Sequence, residues 1–125
     1  MFEYTNIKEA PAAVGPYSQA VKSGNMLFIS GQIGIDPATN EMVEANIETQ
    51  AHQVMKNIGK ILEANGMDYS NVIKTTCLLA DLKDFGTFNG IYEQYFISKP
   101  ARSCFAAAGI PKGALCEVEV IAVKD

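Results

Sequence analysis

Arg102, Cys104, Glu117 and Glu119 place a guanidinium, a thiol and two carboxylates in two runs that are otherwise mostly apolar or small, Pro100–Phe105 and Cys116–Val123. A charged group in a core strand is costly to desolvate unless it is paired or faces a cavity. Two readings fit. In one, Arg102 and a glutamate form a structural ion pair on a sheet edge. In the other, the planar fork of Arg102 grips a substrate carboxylate while Glu117 moves a proton or holds a water. The residues Gly109-Ile110-Pro111-Lys112-Gly113 between the runs predict an antiparallel hairpin, and a suitable register sets Arg102 and Cys104 beside Glu117 and Glu119. A slip of one residue would carry the acids to the other face.

Elsewhere the chemistry is sparser. Tyr17, in the Pro- and Gly-rich segment 10–19, either plugs a surface groove or points its hydroxyl into a site. Ser30-Gly31 closes an apolar run, where the glycine either lets backbone N–H groups approach a ligand or marks a bulge. Asn89 lies one helical turn from Phe85, as a satisfied polar residue or as an amide offered to a pocket. Cys77, Cys104 and Cys116 are odd in number and widely spaced, which predicts reduced thiols rather than a disulfide framework or a zinc site. Cys77 reads as an inert packed thiol. The only histidine, His52, stands among Gln50, Gln53 and Lys56 and reads as a surface helix residue.

The chain of 125 residues is long enough for one core and too short for two. Its net charge of −4, with no Lys/Arg run, argues against nucleic-acid partners and acidic membranes. No apolar run approaches the ~20 residues of a membrane span. Residues 1–6 lack the basic and apolar regions of a secretory signal, so a cytoplasmic protein is expected.

The elements that must position these groups follow from the hydrophobic pattern. Ala20–Lys22 and Met26–Ser30 predict a hairpin through Ser23-Gly24-Asn25. Asn46 caps a helix whose stripe of Ile47, Ala51, Val54, Met55, Ile58, Ile61 and Leu62 ends at Asn65-Gly66. Val72–Ala80 predicts a central strand. Phe85, Phe88 and Tyr92, with Tyr95 or Phe96, stripe a second helix from Asp84 to Phe96 despite Gly86 and Gly90. The order predicts a single α+β domain over residues 1–125, with one mixed sheet and two helices on one face. Several strands are apolar on both faces, so a homo-oligomer that covers the second face is expected.

Five motifs, Gly15-Pro16-Tyr17-Ser18-Gln19, Phe28-Ile29-Ser30-Gly31-Gln32-Ile33, Phe88-Asn89-Gly90-Ile91-Tyr92, Pro100-Ala101-Arg102-Ser103-Cys104 and Glu117-Val118-Glu119, together resemble the Rid (YjgF-type) family of enamine and imine deaminases. The resemblance runs over essentially the whole chain. It implies a chorismate-mutase-like fold, a homotrimer with sites at subunit interfaces, and neither metal nor organic cofactor. It also implies hydrolysis of 2-aminoacrylate-type enamines and their 2-imino acid tautomers to 2-oxo acids and ammonia. By position, Arg102 resembles the carboxylate-binding arginine and Glu117 the acid that orients the attacking water. Tyr17, Ser30, Gly31, Asn89 and Cys104 resemble the pocket lining. Cys104 reads as a wall rather than a nucleophile, because no base is recognisable near it. The competing readings are a non-catalytic binder of small carboxylates and a ribonuclease or translation inhibitor, the latter disfavoured by the acidic balance.

Overall fold

The computed structural model describes residues 1–125, as β1 (Phe2–Thr5), β2 (Ala20–Ser23), β3 (Met26–Gln32), β4 (Ile35–Asp36), β5 (Glu41–Met42), α1 (Ile47–Ala64), β6 (Val72–Leu79), α2 (Phe85–Tyr95), β7 (Ala101–Ala106) and β8 (Cys116–Val123). Six strands form one mixed sheet in the order β1-β2-β3-β8-β6-β7, and β4 pairs with β5 as a separate ribbon. The α+β class, the mixed sheet and the two helices are as the sequence predicts. Strand β1 and the small ribbon were not anticipated.

Local chemistry explains the helices. Asn46 accepts a hydrogen bond from the Thr49 N–H at 2.8 Å, which satisfies one of the free donors of the first turn. Gly66 takes φ 69° just past the end of α1, the left-handed conformation that glycine adopts without a Cβ penalty. Between these caps, Ala51, Val54, Met55, Ile58, Ile61 and Leu62 are wholly buried. Each larger side chain of that stripe contributes on the order of 1.5–3 kcal/mol by leaving water.

Alternation along β8 sets the layers. Cys116, Val118, Val120 and Ala122 are buried in the core that the helices cover, while Glu117, Glu119, Ile121 and Val123 face the other way. The same parity runs across the sheet, so Phe28 of β3 and Phe105 of β7 stand on the uncovered face, 42% and 50% exposed.

The predicted hairpin between residues 100–105 and 116–123 does not form. Strand β6 lies between them, pairing parallel with β7 and antiparallel with β8. Residues 107–115 therefore carry the chain past β6 rather than around a tight turn. The pairing of Arg102 with Thr75, and of Glu117 with Leu78, assigns the two side chains to opposite faces.

Candidate functional site

Arg102 lies on β7, an edge strand, on the side that faces α2. Its Nη1 donates to Asn89 Oδ1 at 2.6 Å. Its Cζ stands 4.8 Å from the Tyr92 ring centre and 5.6 Å from that of Phe85, distances at which the ring faces attract a cation. Tyr92 is fixed in turn by a 2.8 Å hydrogen bond between its hydroxyl and Thr75 Oγ1 of β6. The guanidinium is thus oriented by an amide and two rings, and no carboxylate of its own chain pairs with it. The sole ion pair joins Lys60 and Glu63 on α1, which removes the structural Arg–Glu pair as a reading within one chain. Arg102, Asn89, Tyr92, Lys99 and Pro100 line an open cavity of 360 Å³.

Glu117 belongs to a second cavity, of 570 Å³, which Tyr17, Ser30 and Gly31 line with it. Burial pushes its carboxyl above the usual carboxylate range, and the neighbouring Glu119 charge adds to the shift. Strand β3 bulges between Ile29 and Gln32, where three steps along it match two along β8. The bulge turns Gly31 toward Glu117, and a Cβ at residue 31 would overlap the carboxylate oxygen. Of the two readings of Gly31, the bulge is the one observed, with the Glu117 side chain filling the room the glycine leaves. Ser30 Oγ donates to Ser18 O at 2.6 Å, which ties the bulge to the loop that carries Tyr17. Tyr17 is half exposed in the cavity wall.

The expected site residues therefore fall into two groups. Tyr17, Ser30, Gly31 and Glu117 share one cavity, and Arg102 and Asn89 share another. Cys104, half-buried, follows Arg102 on the same strand face. The pairings put Arg102 two strands across and three residues along from Glu117, roughly 14 Å between Cα atoms and on opposite faces. The placement of Arg102 and Cys104 beside Glu117 and Glu119 is overturned within one chain, because β6 separates their strands.

Three buried amides were missed, two of which, Gln19 and Asn57, brace residues of the larger cavity. Gln19 Nε2 donates to the carbonyls of Ile7, Ala10 and Pro11, and its Oε1 accepts from the Ile7 N–H at 2.7 Å, so one side chain fixes the N-terminal loop. Asn57 Nδ2 donates to Ile33 O and Ile35 O, and Gln50 Oε1 accepts from the Leu115 N–H at 2.8 Å. Their spacing was the signal: Gln50 and Asn57 are seven residues apart on the apolar stripe of α1, where a polar group is retained only with buried partners. His52 is also less free than its neighbours suggested, half-buried with Nδ1 2.7 Å from the Tyr95 hydroxyl.

No three His, Cys, Asp or Glu side chains are grouped closely enough to hold a metal ion. No helix is long and apolar enough to cross a membrane.

The model of the Endoribonuclease L-PSP family matches residues 7–124. The 2-iminobutanoate/2-iminopropanoate deaminase of Mus musculus is 50% identical over 117 residues, covering 93% of this chain and 87% of that protein. The chloroplastic Reactive Intermediate Deaminase A of Arabidopsis thaliana is 50% identical over 121 residues, 96% of this chain and 65% of that protein. The crystal structure of E. coli TdcF with bound serine superposes with a TM-score of 0.93 at 38% identity, over 98% of this chain and 99% of that one. A family match over nearly the full length, joined to half-identical relatives and one shared fold, makes this chain a member of the Endoribonuclease L-PSP family, which includes YjgF and the reactive intermediate deaminases.

Proposed function

We propose that the protein is a deaminase that hydrolyses 2-aminoacrylate-type enamines and 2-imino acids to 2-oxo acids and ammonia, in a homotrimer whose sites lie between subunits. The observation that carries this reading is the state of Arg102: preset by Asn89 and two rings, open to solvent, and without a carboxylate of its own. Such a fork fits a small carboxylate ligand. The names of the half-identical relatives supply the reaction class.

The chemistry needs a second group close to the bound carboxylate, and Glu117 is too far away in the same chain. A neighbouring subunit resolves this. The sheet face without helices carries Phe28, Phe105 and Ile121 and needs covering, and packing subunits there brings one chain's edge strand β7 to the neighbour's Glu117 cavity. Arg102 and Asn89 then fix the substrate carboxylate, while Tyr17, Ser30, Gly31 and Cys104 wall the site.

In that site the imino carbon lies next to the anchored carboxylate, and a water held by Glu117 adds to it. The water's proton passes to Glu117 and on to the nitrogen as the C–O bond forms. The carbinolamine then passes its hydroxyl proton through Glu117 to the nitrogen, the C–N bond breaks, and ammonia leaves a 2-oxo acid. A carboxyl with a raised pKa suits both the taking and the giving of that proton. This chain supplies binding, orientation and one proton carrier, and no step asks for a cofactor.

The test is a coupled assay in which an enamine is generated enzymatically and ammonia release is followed with and without the protein. Acceleration is expected. Release at the uncatalysed rate would favour a binder of small carboxylates instead. The family name, Endoribonuclease L-PSP, favours a ribonuclease as a second reading. Against it stands the net charge of −4, and RNA cleavage that survives purification to homogeneity would restore it.

A further inference from the structure

Cys77 and Cys104 are widely separated in sequence but directly paired across the parallel strands β6 and β7. Both point to the helix side, Cys77 fully buried and Cys104 half-buried against the core. Opposed residues of neighbouring strands have Cα atoms about 4.8 Å apart. That lies inside the window of about 4.4–6.8 Å that a disulfide spans without moving the backbone. The Cys77 thiol is within donating reach of Thr75 Oγ1, at 3.8 Å. Strand β7 is an edge strand held by one neighbour, so it has room to adjust. The hydrolysis described above uses neither thiol as a reactant.

We propose that Cys77 and Cys104 form an oxidisable dithiol that closes to a disulfide within one chain, bridging β6 and β7, when a small peroxide is present. Cys104 reacts first, since it is the accessible thiol of the two; burial pushes it above the usual thiol range, and the Arg102 guanidinium two residues away acts against that rise. Its sulfur attacks a peroxide oxygen and the O–O bond breaks, leaving a sulfenic acid on Cys104 and one water. The Cys77 sulfur then attacks the Cys104 sulfur, the S–S bond forms, and the hydroxyl departs with the Cys77 proton as a second water. Two thiols lose two electrons in all, and hydrogen peroxide is reduced to two waters. Burial pushes Cys77 up to about 12, which fits its role as the second partner, reached only from the residue opposite it on the next strand. Cys116 lies on the next strand opposite Leu79, off the line that joins the pair.

The test is intact-mass analysis and peptide mapping after hydrogen peroxide treatment, with free thiols alkylated on unfolding. The expected result is a loss of about 2 Da, a linked pair of peptides holding Cys77 and Cys104, and an alkylated Cys116. Cys104→Ser is expected to abolish the loss. Cys77→Val, which keeps an apolar side chain in the buried place, is expected to leave Cys104 gaining about 16 or 32 Da as oxygen adducts. Oxygen adducts on Cys104 of the unsubstituted protein without a cross-link would overturn the proposal. So would a bridge between chains, or a loss of about 2 Da that persists in Cys77→Val.

Discussion

The Glu117 side chain occupies the space above Gly31 that a Cβ there would need, its Cδ 2.9 Å from that position. Gly31 is not among the glycines of positive φ, so room rather than backbone freedom calls for glycine here. In Gly31→Ala the flexible end of Glu117 must move, while the backbone has no reason to. Because a misplacement of about 1 Å can cost a catalytic group on the order of 100-fold, ammonia release is expected to fall by about tenfold to a hundredfold. Melting temperature, measured alongside, should change by only a few degrees. Unchanged turnover would show that the carboxylate's position does not matter.

Arg102 contributes little to the fold, being exposed on an edge strand with one side-chain hydrogen bond. Arg102→Ala is expected to abolish accelerated ammonia release with a stability loss of about 1 kcal/mol from its ring contacts, read from chemical denaturation. Arg102→Lys keeps the charge but loses the fork, and should recover only a minor part of the activity. Full activity in either variant would end the carboxylate-clamp reading.

The raised pKa of Glu117 fixes the direction of two pH effects. A carboxyl raised on folding favours the folded state when protonated, so this stabilisation is complete below the unfolded carboxylate range and is lost as pH rises through the raised value. Glu117→Gln, which carries no charge to bury, is therefore expected to melt above the parent protein near neutral pH, with the gap closing in acid. In the proposed mechanism the ionised form is the base, so activity should climb as pH rises through the same value. Glu119→Gln removes the second cause of the shift and should move this acid limb to lower pH. A limb that stays put would assign the titration to another group.

The opposite-face placement of Arg102 and Glu117 lends itself to a mixing experiment. If a site takes its arginine from one subunit and its glutamate from the next, Arg102→Ala and Glu117→Gln chains refolded together must regain complete sites. Random trimers of equal parts would carry about one quarter of the normal number. Activity near that fraction, from two preparations that are inactive alone, is the expected outcome. No recovery, with mixed trimers verified by mass spectrometry, would place both groups in one chain.

The sequence made both helices and five of the eight strands legible through local signals, among them the Asn46 cap, the Gly66 end and the two apolar stripes. It also singled out Arg102 and Glu117, because charged residues among apolar ones attract attention wherever their strands lie. Strand neighbours were not legible. A hairpin and a long return look alike when the linking residues are Gly109, Pro111 and Gly113, and nothing local shows that β6 claims the place between β7 and β8. The division of the site between two cavities follows from that one pairing. The Gln19, Gln50 and Asn57 hydrogen bonds escaped notice for the related reason that their carbonyl and N–H partners are far off in the chain or carry no side-chain signature.

Strand β8 is central in space yet follows every other strand in the chain. A ribosome delivers β1, β2 and β3 as one sheet fragment and β6 and β7 as another, with nothing to zip them together until residues 116–123 emerge. The nascent chain must therefore hold two unfinished edges apart, and its slowest event should be the entry of this last strip between partners made long before it.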